Sequence, residues 1–577
     1  MWDLQRIVYA IEVGGLRKFL LGGVVLAVML GLAAYYSVTQ FNGLNSAEAM
    51  DQAQLGRNLA EGRGFKTWFI RPLAIWQLRE RGVADKEINL TQFPDTVNPP
   101  AYPMLLGFIF KIAHPQFVVP VESLANFQSY APERLILLTG IGCTLMAGAL
   151  LFFWVVRMFD TMAAVIAVVL FLLTDLVWMF TISGLSVSWS IMLVSALGLV
   201  VGEALRAEEN EGHWLAVLWM AIGGVMMGLM ILTHYTYLWA LLPFIPFIIL
   251  SFKKRWIILP VFFGVVMLMT GWWWFRNFQV TGNPFGLTGM SILTNSGKFP
   301  GSSLWRSLSM ESDVFGVRPY ARSLVAGASG QLVTLSYLCG GFLVLSLAVG
   351  SVFHSFRSFA AARSRWLWLG IIVLVFLAAA PSFSFDNPDT WNETNQIAPF
   401  LPVFLCFGSA FVLVMLDRLH FPLRLIKYLL VIAICVVQAI PLMLKFAGTT
   451  PKFPYPPYFP PVLIATSNYL NADEVQMSDL PWASAWYQGR STIWLPNKRE
   501  DFFTINDLIH PVCILLLTPY SSDAKYNSQI KAGEYEDWAG LVTRTDFSKS
   551  PLPVTMPLWP PDKWFYIMFA DKERSRL

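Results

Sequence analysis

The sequence predicts an α-helical protein with about eleven membrane-spanning helices and two water-facing parts. Of its 577 residues, 55% are hydrophobic and only 14% are charged, whereas a soluble domain carries about 25% charged residues. The charged residues are concentrated, with 14 of them in residues 40–99 and 26 in residues 448–577. The long apolar runs between these two parts exclude an ordinary soluble protein.

Eleven apolar runs are long enough to cross a bilayer, and helices satisfy this much backbone in lipid without closing a barrel. The first run follows Arg6, Arg17 and Lys18 and shows no clear cleavage site, so we expect it to be a retained anchor. The predicted spans are residues 19–39, 134–156, 161–181, 184–204, 214–233, 235–251, 256–275, 331–353, 367–383, 397–416 and 427–446.

The apolar stretch Ala101–Ile112 has about a dozen residues, which is too few to cross a bilayer. We expect it to form an interfacial or re-entrant helix that begins after Pro99 and Pro100. A short true span, with different boundaries for its neighbours, is the alternative.

The basic residues in the short loops predict the orientation of the chain. Lys and Arg concentrate in one set of short loops, and the opposite set contains none. The positive-inside rule therefore predicts a cytoplasmic N-terminus. It places on the outer side residues 40–133, 276–330 and 447–577.

A proline-rich linker, Pro451–Pro461, separates the membrane part from the tail, because proline stops the last helix and stiffens the chain. In the tail we predict a helix over residues 461–472 and buried strands at Val512–Leu517 and Trp564–Phe569, which together form a small α/β domain. The predicted units are residues 1–39 (N-terminal segment and first span), 40–133 (first outer loop with amphipathic and juxtamembrane helices), 134–446 (transmembrane bundle with outer loop 276–330), 447–460 (linker) and 461–577 (soluble outer domain).

Several function classes are disfavoured by what the sequence lacks. It contains no Walker A, HExxH, GxSxG or dinucleotide-binding motif, and no basic block that would indicate nucleic acid. Its five cysteines form no disulfide framework or CxxC metal site. Acids within the predicted spans are few, with Asp175 and Glu203 the main ones, whereas an ion-coupled transporter usually needs them on its path.

The first outer loop carries a predicted amphipathic helix with two acids. Ser46 is a suitable N-cap and Gly62 a suitable stop. Glu48 and Asp51 are three residues apart and therefore share a face of the helix. Such acids can simply complement the helix dipole. Alternatively, one of them serves as a general base or metal ligand at the membrane surface.

Seven short segments, in or next to the predicted outer loops and tail, carry a family resemblance. They are Glu48–Asp51 (EAMD), Gly56–Leu59 (GRNL), Gly62–Phe65 (GRGF), Asn98–Pro103 (NPPAYP), Gly271–Asn277 (GWWWFRN), Thr281–Phe285 (TGNPF) and Trp482–Pro496. In this order they resemble the GT-C superfamily of polyprenyl-phosphate-dependent glycosyltransferases. The bacterial family 39 type is the most similar, the type that includes relatives of protein O-mannosyltransferases and the lipid A aminoarabinose transferase.

The resemblance implies transfer of a sugar from a polyprenyl-phosphate donor to an acceptor at the outer face. The family's acid in the first outer loop maps to Glu48, with Asp51 as the alternative catalytic residue. Residues expected to line the substrate site are Asn277, Tyr102, Tyr235 and Tyr237.

Three basic residues are candidates for the donor phosphate. Arg276 lies at the outer end of a span, where a guanidinium can bind a phosphate bidentately as the lipid phosphate leaves. It could equally anchor the helix at the interface. Arg71, in an apolar context, and His234, at an outer membrane edge, are the other two candidates, and ordinary surface or hydrogen-bonded roles are their alternatives.

The sequence departs from the family pattern at the start of the fourth span. Many members have a second acid there, whereas Thr181–Trp189 contains serines and no acid. No cofactor is therefore certain, and a divalent metal ion, with unknown ligands, stays an option. The outer loop Asp386–Glu393 could line an acceptor site or form a solvated turn.

The sequence thus predicts a membrane glycosyltransferase of GT-C type in a bacterial inner membrane, with its tail in the periplasm. Its expected partners are a polyprenyl-phosphate-linked sugar, a lipid, glycan or protein acceptor, and membrane lipids, but no nucleic acid. A non-catalytic assembly subunit and a lipid or solute transporter are the alternatives.

Overall fold

The computed structural model describes most of the chain in a mainly helical fold. The described residues are 16–120, 129–294, 301–310, 317–382, 396–419, 424–448, 459–523, 535–558 and 566–572, with isolated positions between some of these ranges. Eight of the described helices are long and apolar enough to cross a membrane, and ten spans result if each of two bent helix pairs counts as one. The predicted polytopic helical class is therefore confirmed.

The predicted count of eleven spans stays a prediction. The additional predicted span, residues 235–251, corresponds to a shorter apolar segment, Tyr235–Ser251.

The helices of the membrane part and first outer loop are α1 (Leu16–Thr39), α2 (Ala47–Ala60), α3 (Pro72–Glu80), α4 (Ala101–Ala113), α5 (Ala131–Met158), α6 (Thr161–Leu172), α7 (Asp175–Ser183), α8 (Val187–Glu209), α9 (His213–Ile231), α10 (Leu241–Ser251), α11 (Arg255–Thr281), α12 (Val317–Leu338), α13 (Leu343–Phe353), α14 (Phe359–Ala379), α15 (Leu401–Arg418) and α16 (Arg424–Phe446).

Two of the predicted spans are broken rather than straight. Helices α6 and α7 meet at an angle of 60°, and the pair formed by α12 and α13 bends by 99°. Asp175, the predicted intramembrane acid, begins α7 and pairs with Lys445 Nζ of α16 at 3.1 Å. It also accepts a hydrogen bond from Tyr36 of α1. Because of the break, Asp175 connects the first, third and last spans. Its charge is compensated by Lys445, as the low dielectric of a membrane interior requires.

Helix α4 lies against α2, in keeping with the expectation that Ala101–Ile112 does not span. The two helices cross at Gly56 and Gly107. A Cβ atom added at Gly56 would lie 2.9 Å from Leu106 Cβ and 3.2 Å from the Gly107 nitrogen. The absence of side chains at both positions therefore lets the backbones touch and fixes α2 in position.

The tail forms a small α/β domain, as predicted, but one strand of its sheet comes from elsewhere. The six-stranded sheet has the order β1-β3-β2-β4-β6-β5. Its strands are β1 (Phe69–Ile70), β2 (Val475–Ser478), β3 (Thr492–Trp494), β4 (Val512–Leu517), β5 (Val554–Leu558) and β6 (Tyr566–Ala570). Strand β1 belongs to the first outer loop and pairs in parallel with β3. The first outer loop and the tail consequently share one sheet.

The predicted tail elements compare closely with the observed ones. Strand β4 has the predicted bounds, and β6 begins within the predicted Trp564–Phe569. The helix predicted over residues 461–472 is shorter in the structure. It ends at Thr466, and a 3₁₀ turn follows it. The tail helices are α17 (Pro460–Thr466), α18 (Pro481–Gln488), α19 (Arg499–Thr504), α20 (Pro519–Asp523) and α21 (Ala539–Val542).

Helix α18 docks the tail on the membrane part through a buried acid. Glu133, in the first turn of α5, is 2% exposed. Its Oε1 accepts hydrogen bonds from Trp486 Nε1 at 3.0 Å and Tyr487 OH at 2.6 Å. Arg57 of α2 donates to the Trp486 carbonyl and lies over the Phe117 ring at 4.7 Å. A buried carboxylate without such donors would be costly, so these bonds favour the docked position of the tail.

The crossing of α2 and α4 generates the first prediction. Gly56→Ala should lower the free energy of unfolding by about 1–3 kcal/mol, because the added methyl group meets backbone and Cβ atoms that cannot rotate away. Thermal unfolding in detergent measures the loss.

Gly142→Ala in helix α5 is the matched control, because an added Cβ there has no heavy atom within 4 Å. Equal melting temperatures for Gly56→Ala and the control would show that the two helices have room to separate.

Candidate functional site

The helix that follows the first span begins and ends as the sequence predicts. Ser46 is the N-cap of α2, and its hydroxyl oxygen accepts a hydrogen bond from the Ala49 nitrogen at 3.1 Å. Gly62, in the left-handed region at φ 76°, follows the helix end. Glu48 lies in the first turn, where its charge also complements the helix dipole. This local structure presents Glu48 at the end of the bundle that carries the tail.

Glu48 and His234 come together from distant parts of the chain. Glu48 Oε1 lies 3.8 Å from His234 Nε2 and accepts a hydrogen bond from Gln52 Nε2 at 2.9 Å. The side chain of Glu48 is 22% exposed, so a substrate can still reach it. His234 lies in the turn between α9 and the 3₁₀ segment Tyr235–Ala240. The pairing of these two residues is thus a product of the tertiary fold.

His234 is held by two further polar side chains. Its Nε2 lies 2.8 Å from Ser186 Oγ, and its Nδ1 lies 3.3 Å from Gln396 Nε2. Burial lowers the pKa of His234 to about 4, so the imidazole is uncharged at neutral pH. An uncharged imidazole can make one hydrogen bond to a phosphate but brings no positive charge to it.

Ser186 belongs to the segment in which the family resemblance leads us to expect a second acid. The turn between α7 and α8 brings Ser186, rather than a carboxylate, to His234. Sequence reasoning flagged this segment for its missing acid but did not assign Ser186 or Gln396 to the site. Only the contacts of His234 identify these two residues.

Asp51 has a different environment from Glu48, although both lie on the same helix. It is 1% exposed and accepts hydrogen bonds from Arg71 Nη2 at 2.6 Å, Asn98 Nδ2 at 2.9 Å and Gln54 Nε2 at 3.1 Å. The side chain of Arg71 is also largely buried. The structure thus places Arg71, a predicted phosphate ligand, on a buried carboxylate.

Asp95 is a second buried acid beside this ion pair, and sequence reasoning missed it. Its Oδ2 accepts a hydrogen bond from the Asn98 nitrogen at 2.8 Å. Burial and repulsion by Asp51 raise the pKa of Asp95 to about 6, while Arg71 and Arg276 oppose the shift. Its position just before the Asn98–Pro103 motif was a usable signal, because acids that precede a turn often accept its backbone N–H groups.

Arg276 lies in the last turns of α11 and holds the backbone of the first outer loop. Its guanidinium donates to the carbonyl oxygens of Asp95 and Phe65, and it lies 4.8 Å from the centre of the Trp273 ring. The side chain is only partly buried. The predicted phosphate role and the predicted anchoring role are therefore compatible with one position.

Each of the four predicted substrate-lining residues lies near Glu48, His234 or Arg276. Tyr235 OH accepts hydrogen bonds from Asn277 Nδ2 at 3.2 Å and Trp273 Nε1 at 2.6 Å. The rings of Tyr237 and His234 meet edge to face at 6.1 Å. Tyr102 OH donates to the Gly184 carbonyl at 3.1 Å, and both Tyr102 and Tyr237 are buried. These two side chains consequently lie behind the accessible surface of the site and support it.

Metal-binding potential is limited in the part of the chain that the structure describes. No group of three or more His, Cys, Asp or Glu side chains could hold a metal ion there. Glu48 and His234 supply two potential ligands. The predicted acceptor loop Asp386–Glu393 lies outside the described residues.

Comparison with known proteins shows likeness in structure but not in sequence. No protein-family model matches the chain, and no curated protein is significantly similar in sequence. The archaeal oligosaccharyltransferase AglB from Archaeoglobus fulgidus, in complex with an inhibitory peptide and a dolichol-phosphate, matches with a TM-score of 0.57 and 11% identity. This match covers 95% of this chain and 74% of AglB. A further structure of that oligosaccharyltransferase, with Zn and sulfate, matches with a TM-score of 0.56 and 11% identity over 90% of this chain and 70% of the other.

A second protein matches over nearly its whole length. ArnT from Cupriavidus metallidurans bound to undecaprenyl phosphate has a TM-score of 0.53 and 10% identity, and the match covers 96% of this chain and 98% of ArnT. At these identities the likeness establishes the fold. The chain therefore has the fold of the GT-C membrane glycosyltransferases, so the predicted resemblance is confirmed at the level of the fold.

The buried ion pair generates the second prediction. Asp51→Asn should lower the free energy of unfolding by about 3–5 kcal/mol, because it leaves the Arg71 guanidinium buried without its carboxylate. Thermal unfolding in detergent checks the effect.

Asp85→Asn is the matched control in the same loop. Its carboxylate pairs with Arg79, but both side chains are partly exposed, so the cost should stay below about 1 kcal/mol. A loss at Asp51 no larger than that of the control would contradict the buried pairing.

The raised pKa of Asp95 generates the third prediction. Between its ordinary value of 3.8 and the folded value of about 6, the folded chain binds more protons than the unfolded chain. The free energy of unfolding contributed by this group therefore falls as pH rises through that window and is level above it. Thermal unfolding of wild type and Asp95→Asn, measured across the window, should show a smaller fall in the variant. An identical slope in both proteins would mean that Asp95 does not titrate there.

Proposed function

We propose that the chain is a glycosyltransferase that moves a monosaccharide from a polyprenyl-phosphate donor to an acceptor at the outer face of the membrane. One observation carries the proposal: Glu48, on the helix after the first span, is a partly exposed acid that faces an uncharged histidine. The GT-C fold supports the reaction class, since solved structures show AglB in complex with a dolichol-phosphate and ArnT bound to undecaprenyl phosphate.

Glu48 is the proposed general base. An acceptor hydroxyl or amine gives its proton to the Glu48 carboxylate, and its oxygen or nitrogen attacks the anomeric carbon of the sugar. The bond from that carbon to the phosphate oxygen breaks, and the lipid phosphate leaves with the electron pair. Attack from the side opposite the leaving group inverts the anomeric centre. Glu48 suits this role better than Asp51, because three donors already saturate the buried Asp51 carboxylate.

Arg276 is the proposed charge partner of the donor phosphate. The leaving phosphate gains negative charge as the glycosidic bond breaks, and a fixed guanidinium stabilises that charge. Carbonyl oxygens of the first outer loop hold Arg276 in place, while part of its side chain stays exposed. Arg71 is proposed to act indirectly through Asp51. His234 is proposed to orient Glu48 and the substrate rather than to supply charge.

The predicted orientation completes the proposal. Basic short loops place the N-terminus in the cytoplasm, so that Glu48 and the tail face the periplasm of a bacterial cell. The donor then enters laterally from the outer leaflet. The tail covers the site through α18 and helps to select the acceptor.

A non-catalytic assembly subunit is the second candidate, and one observation favours it. Ser186 occupies the place at His234 where relatives would present a second acid. A subunit of this kind would keep the fold without turnover.

The fourth prediction separates the two candidates. Glu48→Gln should lower sugar transfer by about 100-fold or more, because the amide cannot accept the acceptor's proton. Membranes that contain the full chain are supplied with a panel of radiolabelled polyprenyl-phosphate sugars, and glycosylated product is counted.

Glu80→Gln, an exposed acid at the end of α3, is the matched control and should keep wild-type turnover. Equal turnover in Glu48→Gln and wild type would remove Glu48 from the mechanism. Product formation in neither protein with any donor would support the assembly subunit, and stable co-purification of partners would identify it.

A further inference from the structure

A cleft of about 580 Å³ lies at the end of the bundle remote from Glu48. Its lining comes from the last turn of α5, the last turns of α8 and the first turns of α9. The proposed glycosyl transfer uses none of these residues. Those that bear on ligand binding are Arg157, Glu203, Arg206, Glu209, Leu215 and Trp219.

The length of α8 fixes the depth of this cleft in the membrane. The helix begins beside Ser186, which contacts His234 at the site, and runs for 23 residues to Glu209. At a rise of 1.5 Å per residue it is roughly 34 Å long. The hydrocarbon core of a bilayer is about 30 Å thick. The cleft therefore lies at the headgroup level of the leaflet opposite to the glycosyl-transfer site.

The charges in the cleft are balanced and accessible. Glu203 lies between two guanidinium groups, with Oε1 at 3.1 Å from Arg157 Nε and 3.9 Å from Arg206 Nη1. The side chains of Arg157 and Arg206 are 59% and 37% exposed, so both keep donors for a ligand. Glu209, at the rim, is exposed. Two cations and two carboxylates thus line one cleft.

We infer that this cleft binds the zwitterionic headgroup of an aminophospholipid such as phosphatidylethanolamine. Arg157 and Arg206 hold the phosphodiester, since guanidinium groups match phosphate oxygens. Glu209 accepts hydrogen bonds from the primary ammonium group. Leu215 and Trp219 contact the glycerol and the first methylene groups, as apolar and aromatic side chains do at membrane interfaces.

The charge pattern selects among the headgroups of a bilayer. The headgroup of phosphatidylglycerol is anionic and has no cationic group that could pair with the two carboxylates, which would repel it. A choline headgroup lacks the N–H donors that a carboxylate pairs with. A primary ammonium group beside a phosphate satisfies both signs of charge in the cleft.

Lipid retention by the purified full chain tests the inference. The protein is placed in nanodiscs with equal amounts of phosphatidylethanolamine, phosphatidylcholine and phosphatidylglycerol, extracted into mild detergent, and its retained lipids are counted by native mass spectrometry. Wild type should enrich phosphatidylethanolamine about threefold, a magnitude expected for partly exposed ion pairs. The double variant Arg157→Gln/Arg206→Gln should lose this enrichment.

The matched control is Arg255→Gln/Arg363→Gln. It removes the same charge from exposed positions at the same end of the bundle, outside the cleft. Equal loss in both double variants would overturn the inference, as would unchanged enrichment in Arg157→Gln/Arg206→Gln.

A second variant keeps the test informative if the double variant fails to fold. Glu209→Gln changes one exposed side chain and makes the cleft cationic, so the preference should move from phosphatidylethanolamine towards phosphatidylglycerol. Retention of phosphatidylglycerol or phosphatidylcholine by wild type at the level of phosphatidylethanolamine would overturn the inference.

A last arm distinguishes a lipid from a free metabolite. Soluble O-phosphoethanolamine is added before extraction at a concentration equal to that of the lipid. Displacement of the retained lipid at that concentration would assign the cleft to a soluble ligand and overturn the lipid inference. Continued retention supports it.

Discussion

The ion pair between Asp51 and Arg71 is the contact on which the outer part of the molecule depends. Its two charges are almost completely removed from water, so each requires the other. Asp51 belongs to the helix that carries Glu48, whereas Arg71 directly follows the strand β1. Asn98 joins the same carboxylate from the segment that leads into α4. One buried charge thus fixes the helix that carries Glu48 relative to two other pieces of chain.

The shared sheet extends this constraint to the tail. Strand β1 pairs with β3, so the first outer loop cannot shift without breaking hydrogen bonds to the tail domain. Glu133 adds a second attachment through Trp486 and Tyr487. Arg306 adds a third, since it is fully buried and donates to the carbonyl oxygens of Leu495 and Pro496. Together these contacts hold the tail over the end of the bundle that carries Glu48.

Differences in burial and hydrogen bonding give two acids on one helix different environments. Asp51 is saturated by three donors and serves the fold, whereas Glu48 has a partly exposed side chain beside a neutral imidazole. Burial keeps His234 uncharged, so it brings no positive charge to the site. At the far end of α8, Arg157 and Arg206 pair with Glu203, so charge is also arranged at the opposite end of the bundle.

The sequence by itself determined the helical membrane class, the N-cap and end of the helix after the first span, the tail strand Val512–Leu517 and the GT-C resemblance. These features follow from hydrophobic run length, capping chemistry and local motif order, which are readable along one stretch of chain. Only the tertiary structure separated Glu48 from Asp51, joined β1 to the tail, and brought Ser186 and Gln396 to His234. The reason is physical: burial, ion pairing and strand pairing join residues from separate segments of the chain, and neither residue type nor spacing encodes which of them meet.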